Sequence, residues 1–376
     1  MPRPRAVCRT RSWTVPFGRG APAPLTASLA PITGARQGRP VPTPGSNGPV
    51  RTRRHRAVFT TGADRQSAPG KESTVTTHEK TTPIVVGVEH TDAGRLAMVW
   101  AADEAARRAL PLRLVHALDW PADADRNPEL NPHRQTWSER FRDAGLRALD
   151  EARDLVVTRH PGLSVNAVLA DGTPVAALRE QSRDAAMIVL GSRRLSTATE
   201  LLTTGGIAVP VTAHARCPVV VVREPEHTGA EPPTIVVAVD GARRSEPAVA
   251  YAFDEAARRG ATIVAVNVRQ LSGGLVAGLR MREEMQEGRL ALAETLAGWT
   301  EKYPSVPVHR EVAVGHPVEV LREAAEHALC LVVGTRGRGG FAGLLLGSVS
   351  QGLIRHARCP LVVVPTPYDE TSGDHD

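Results

Sequence analysis

Ile235-Val-Val-Ala-Val-Asp240 is a run of five aliphatic residues closed by an acid, and 151 positions earlier the chain reads Ile84-Val-Val-Gly-Val-Glu89. The same offset carries Glu104-Ala-Ala-Arg-Arg108 onto Glu255-Ala-Ala-Arg-Arg259, and an offset of 142 carries His214-Ala-Arg-Cys-Pro218 onto His356-Ala-Arg-Cys-Pro360. Three collinear matches of this length mark two copies of one domain, the first longer by nine residues on balance.

Each copy reads as alternating strand and helix. The β-branched runs Ile84–Val88 and Ile235–Val239 are apolar on both faces, as buried parallel strands are. Ala-rich amphipathic helices follow, at about 94–109 and 246–259. Second strands are expected at 112–118 and 262–268, long helices at 139–159 and 282–302, and third strands at 165–169 and 308–314, ending in turns at Gly172 and Gly315. Fourth strands, 187–190 and 330–333, run into Gly191 or Gly334, and the closing strands are 219–222 and 361–364. Five strands alternating with helices dictate an α/β fold of doubly wound, Rossmann-like parallel sheets with right-handed crossovers. Ligands of such sheets lie beyond the carboxyl ends of the strands, at the switch point. The expected boundaries are 82–223 for the first domain, 224–232 for a linker marked by Pro225 and Pro232, and 233–365 for the second domain.

A length of 376 residues suits two domains of this size. Aromatic residues make up 3%, so the cores must be aliphatic. Cys8, Cys217, Cys330 and Cys359 have no metal-ligand spacing, and no secretory signal precedes them. They are expected to be reduced thiols of a cytosolic protein, with Cys217 and Cys359 acting as small buried hydrophobes. No run of eighteen apolar residues exists, so no membrane span is expected.

The net charge of +6 is unevenly placed: residues 1–80 carry a balance of +11 and the remainder −5. The basic character belongs to the first eighty residues, which are rich in Pro, Gly, Arg and Ser/Thr, lack apolar periodicity and are expected to be disordered. They read as a basic arm for nucleic acid or anionic lipid, as an organellar transit peptide, or as a segment that is not translated. The chain uses 43 Arg against three Lys, the bias of a GC-rich bacterial genome, which disfavours an organelle. Codons for Gly70-Lys71-Glu72 can spell a purine-rich ribosome-binding site, so a start at Val75 is the reading favoured over Met1. Residues 366–376 are expected to be a disordered tail.

After the fourth strand of the second copy the chain reads Gly334-Thr-Arg-Gly337-Arg-Gly339-Gly340-Phe-Ala-Gly343-Leu-Leu-Leu-Gly347-Ser348-Val349. Six glycines in fourteen residues would be an entropic liability without a purpose. Glycines let backbone N–H groups approach an anion closely, and Gly347-Ser348 opens the next helix, where orphan amides and the dipole favour phosphate. Ser348 adds a hydroxyl. Arg336 and Arg338 add positive charge that either faces phosphate or is solvated.

On these residues the chain resembles the universal stress protein family in its ATP-binding branch, whose loop signature is Gly-x2-Gly-x9-Gly-(Ser/Thr). Gly334, Gly337, Gly347 and Ser348 fit it at every position, and Val349 follows the serine as the family expects. The resemblance implies that Asp240, at the first strand's tip, meets the nucleoside and that the backbone of Val268, at the second strand's tip, faces the adenine. A carboxylate at Asp240 could instead cap the next helix. The implied cofactor is ATP, accompanied by Mg2+. The implied assembly is a pairing of the two domains through their last strands as a pseudo-dimer within one chain, with intermolecular homodimers left open.

The first copy departs from the signature. Gly191 remains, but Arg194 stands where glycine is required, the loop is one residue longer and ends Gly205-Gly206 without serine, Glu200 lies near the phosphate path, and Glu89 replaces Asp. This copy is expected to bind nucleotide weakly or not at all.

No Gly-x4-Gly-Lys-(Ser/Thr) loop, kinase signature or Gly-x-Ser-x-Gly elbow occurs. His116, His214 and His356 lack companions at metal or triad spacing. A bound triphosphate could be hydrolysed slowly, but no positioned general base is visible, and the expectation is a binding protein rather than an enzyme. The leading reading is a stress-response module in which ATP occupancy of the second domain biases contacts with other proteins. The runner-up is a scaffold of the same fold that binds cyclic AMP or no ligand. DNA binding through the basic arm is a third, less favoured reading.

Overall fold

The computed structural model describes residues 82–119, 134–192, 206–270, 277–337 and 345–366. The expectations for residues 1–80 and 367–376, and for Arg194, Glu200, Gly205 and Arg338, lie outside these.

The first copy runs β1 (Ile84–Gly87), α1 (Asp92–Arg108), β2 (Leu112–Leu118), α2 (Arg134–Arg159), β3 (Val165–Asp171), α3 (Pro174–Gln181), β4 (Met187–Gly191), α4 (Ala208–His214) and β5 (Val219–Val222). The second runs β6 (Thr234–Ala238), a 3-10 turn (Arg243–Ser245), α5 (Glu246–Arg259), β7 (Thr262–Arg269), α6 (Ala277–Lys302), β8 (Val308–Val314), α7 (Pro317–Ala324), β9 (Cys330–Gly334), α8 (Ser348–His356) and β10 (Leu361–Val364). Local chemistry sets several ends. Thr91 caps α1, its Oγ1 accepting from the Gly94 amide at 3.0 Å. Pro174 and Pro317 open α3 and α7 at positions that need no N–H. Gly260 closes α5 at φ 59°.

The strands form one sheet in the order β3-β2-β1-β4-β5-β10-β9-β6-β7-β8. Every neighbour pair is parallel except the central one, where β10 lies antiparallel to β5 with Val362 opposite Val220. The two five-stranded sheets expected from the sequence are therefore halves of one ten-stranded sheet, joined through their last strands. Side chains alternate between two cores. Ile84, Val86, Ile235 and Val237 pack with α1, α2, α5 and α6, whereas Val85, Val236, Leu331 and Val363 pack with α3, α4, α7 and α8. All four residues of β5 and of β10 are buried, each contributing about 1.5–3 kcal/mol of apolar burial.

The seam also places α1 beside α5 and brings the repeated Glu-Ala-Ala-Arg-Arg phrases together. Glu104 and Glu255 are 1% and 2% exposed, with Arg108 between them. Its guanidinium pairs with Glu104 one helical turn away and with Glu255 of the other copy at 2.6 Å, and it donates to the Tyr251 hydroxyl at 3.2 Å. Arg259 turns instead to Glu226, beyond β5, through two hydrogen bonds of 2.8 and 2.6 Å. Glu226 also accepts from the Trp100 indole at 2.6 Å. Burial, reinforced by the Glu104 charge, raises the Glu255 carboxyl above its usual range. Burial acts the same way on Glu104, but Arg108 and Arg107 outweigh it and hold that carboxyl low.

Replacing Arg108 with Gln should remove the cation that the two buried carboxylates share, leaving Glu104 with Arg107 and Glu255 with the more distant Arg258 and Arg259, and cost about 3–5 kcal/mol near neutral pH, read from urea unfolding. Glu255, whose folded-state pKa already lies above its ordinary value, loses its nearest cation, so the stability lost through it should return as pH falls. A penalty that is flat with pH would refute this account of the seam.

Burial also pushes the thiols of Cys217 and Cys359 up to about 12, and that of Cys330 well above its ordinary value. Iodoacetamide at about pH 8 should leave these three cysteines unmodified in the native protein and alkylate all three in urea, as mapped by peptide mass spectrometry.

Candidate functional site

In the second copy the chain leaves β6 toward β7 and β8 on one side, then returns to β9 and β10 on the other. The crossovers diverge between β6 and β9, which makes the carboxyl ends of these strands the switch point. Ala238 pairs with Val266 and Val237 with Val332. Continuing those registers brings Asp240 level with Val268 and Thr335. The Val239 amide still donates to the Val266 carbonyl at 2.9 Å beyond the end of β6. Three sequence-selected positions, Asp240, Val268 and Gly334, thus stand on adjacent strand tips.

Asp240 is half-buried. Its Oδ1 accepts from the Ala242 amide at 3.0 Å, whereas Oδ2 is buried and has no hydrogen-bond partner among the described residues. The helix-cap alternative does not describe this geometry: the bond closes a local turn, and α5 has Ser245 at its N-cap with no side-chain cap bond. Gly337 passes directly over the orphan oxygen. A Cβ at that position would lie 3.1 Å from Oδ2, so glycine serves here for space.

The two ends of the glycine loop are pinned together. The Thr335 amide donates to Val364 O at 3.1 Å, Thr335 O accepts from the Gly347 amide at 2.7 Å, and Ser350 Oγ donates to Gly334 O at 2.8 Å. Gly347 is the N-cap of α8 in an extended conformation and offers no side chain to the first turn. Ser348 follows it, exposed, with Val349 half-buried behind. The first-turn amides of such a helix are donors in search of an acceptor. Arg336 is half-buried, its Nε without a partner among the described residues.

Thr335, Ser350 and Asn267 escaped the sequence reading. Asn267, fully buried in β7, donates from Nδ2 to Val239 O at 2.7 Å and ties the tip of β7 to that of β6. Its signal was available, as a lone amide within the buried run Thr262–Val268. Thr335 and Ser350 carried none, because their roles depend on the loop closing on itself. Among the described residues no group of His, Cys, Asp and Glu could hold a metal ion. His116 Nδ1 lies 3.0 Å from Val88 O, and His214 Nδ1 lies 2.9 Å from Pro210 O.

At the same place in the first copy the first turn of α1 crowds the glycine that ends β4, and the strand tips beside it border a cavity of about 840 Å3 lined by Val88, Glu89, Thr91 and Ser192 among others. A Cβ on Gly191 would lie 2.5 Å from the Ala93 carbonyl, and one on Gly94 would lie 2.5 Å from Glu89 O. At the matching position of the second copy a Cβ on Gly334 would meet only Arg336 O at 3.5 Å and Arg244 O at 3.7 Å. One framing bond is shared, since the Ser192 amide donates to Val222 O at 3.1 Å as the Thr335 amide does to Val364 O.

The universal stress protein family model matches residues 80–223 and 233–365. A universal stress protein of Mycobacterium tuberculosis is 38% identical over 287 residues, which cover 74% of this chain and 96% of the relative. Another, from Mycolicibacterium smegmatis, is 35% identical over 293 residues, 75% of this chain and 96% of the relative. The crystal structure of a universal stress protein from Archaeoglobus fulgidus shares the fold, with TM-score 0.55 and 18% identity, covering 77% of this chain and 99% of that one. Among the described residues no helix is long and apolar enough to cross a membrane.

Gly191→Ala should destabilise the chain by roughly 1–3 kcal/mol through overpacking, and Gly334→Ala, in the absence of ligand, by less than about 1 kcal/mol. Urea midpoints of the two variants decide this, and equal losses would contradict the tighter backbone contact at Gly191 described above.

Proposed function

Because the chain belongs to the universal stress protein family, we propose that its second repeat binds ATP at the β6–β9 switch point and that occupancy biases contacts with other proteins during stress. The observation that carries this reading is the buried, unpartnered Oδ2 of Asp240 beneath Gly337. A carboxylate oxygen can only accept, and the hydroxyl and amino groups of a nucleoside supply the missing donors. A Cβ at position 337 would intrude on that oxygen, so the residues present suit a ligand approaching Asp240 closely.

The remaining roles follow from position. Val268, level with Asp240, offers its backbone to the base, and Asn267 keeps the two strand tips in register. Thr335 and Ser350 hold the ends of the glycine loop together, so that Gly334, Gly337 and the amides at Gly347, Ser348 and Val349 can surround phosphate. Mg2+ would accompany the triphosphate and offset its charge. The reading is one of binding rather than turnover. The first repeat serves as a structural partner, the first turn of α1 lying against Gly191.

ATP at about 100 times its Kd should add about 2.7 kcal/mol to the second repeat and raise its melting temperature by several degrees. The rise should fall sharply in Asp240→Asn and vanish in Gly337→Arg. A shift with cyclic AMP and none with ATP would replace the ligand, and no shift with either would reduce the domain to a scaffold.

A further inference from the structure

Helices α7 and α8 approach so closely that a Cβ on Gly352 would lie 2.6 Å from Val318 Cγ2. Along that contact the two helices and the stretch following β5 border a cavity of about 860 Å3. Small-molecule sites typically enclose about 300–1,000 Å3. Of the residues assigned above to the nucleotide, only Ser348 borders it.

The lining is charged in an unbalanced way. Four arginines face Glu224, Glu319 and Glu326, leaving a surplus of one positive charge. Four histidines share the wall, and their protonation would raise the surplus to five. Two arginines are committed: Arg358 to Glu326 at 2.6 Å, and Arg223 to the Ile354 carbonyl at 3.1 Å, near the C-terminus of α8. Arg322 stands 3.7 Å from the exposed Glu323, and the Arg355 guanidinium has no partner among the described residues. His227 and His327 meet edge to face with ring centroids 5.8 Å apart. His227 Nδ1 is buried with no hydrogen-bond partner among the described residues.

Two imidazoles at that separation repel each other once both are protonated, unless an anion lies beside them. A buried ring nitrogen also needs a partner that the neighbouring side chains do not supply. We propose that this cavity binds a small anion bearing two or more phosphate groups, held by Arg322, Arg355 and the His227–His327 pair, and binds it more tightly as the histidines gain protons. Glu224, Glu319 and Glu326 offset three of the four arginines at either pH, so the protonation of the histidines supplies most of the change in attraction. The remaining histidines, His316 and His356, add to the same field. The phosphates have two sources: a free oligophosphate, or the tail of a nucleotide seated by Asp240, since Ser348 borders both places.

The test titrates inorganic tripolyphosphate and ATP calorimetrically into the full chain at about pH 6 and about pH 8, with 1,2-ethanedisulfonate as a control of constant charge. Tripolyphosphate and the disulfonate should bind wild type and Gly337→Arg about tenfold more tightly at the lower pH. The double variant His327→Gln/Arg355→Gln, both at exposed positions, should lose that gain while keeping its melting temperature. Equal affinity at the two pH values, or an undiminished gain in the double variant, would overturn the proposal. Tripolyphosphate binding abolished by Gly337→Arg but retained by the double variant would also overturn it, while leaving the nucleotide reading standing. A gain seen with ATP alone and lost in both variants would support the cavity and assign its phosphates to the bound nucleotide.

Discussion

The antiparallel pairing of β5 with β10 is the contact on which the rest of the molecule depends. Each strand closes its own parallel half-sheet, and unpaired it would present a fully apolar edge with a free row of N–H and C=O groups. Pairing the two edges satisfies both at once and makes one sheet of ten strands. It also forces α1 against α5, and so brings two buried glutamates face to face. Arg108 is the cation that both glutamates share, while Glu226 draws Arg259 aside and breaks the symmetry of the two copies. The seam is thus apolar in its strands and ionic in its helices.

On either side of the seam the same topology reaches opposite ends. In one half, the first turn of a helix packs its backbone against the glycine at a strand tip. In the other, a 3-10 turn at Arg243–Ser245 precedes the helix, and an acid is left with one oxygen unsatisfied among the described residues. Of the hydrogen bonds that frame the second loop, the one from the Thr335 amide to Val364 recurs in the first copy as Ser192 to Val222.

Much of this was legible in the sequence because the repeat doubles every signal. The β-branched runs located all ten strands to within about two residues, and the strand–helix alternation fixed the parallel, doubly wound halves. Helices α2 and α6 begin five residues earlier than read from the sequence, where the polar inserts give no periodic cue. Glu104 and Glu255 were visible as markers of repetition, yet their meeting through Arg108, 147 residues from Glu255, is a product of the seam and not of either local sequence. The glycine spacing pointed to Asp240 and Gly337 separately. Their contact through a single orphan oxygen depended on how the loop folds over the strand tip, which spacing alone does not encode.

The stretch Arg223–Pro233, which carries the chain from β5 to β6, changes the thermodynamics of the seam. Two separate subunits would associate according to their concentration, but a short tether holds its ends at an effective concentration on the order of millimolar regardless of how dilute the protein becomes. Assembly of the two halves is therefore insulated from expression level. One half is also released from the requirement, binding on any symmetric homodimer, that whatever it recognises its partner must recognise too.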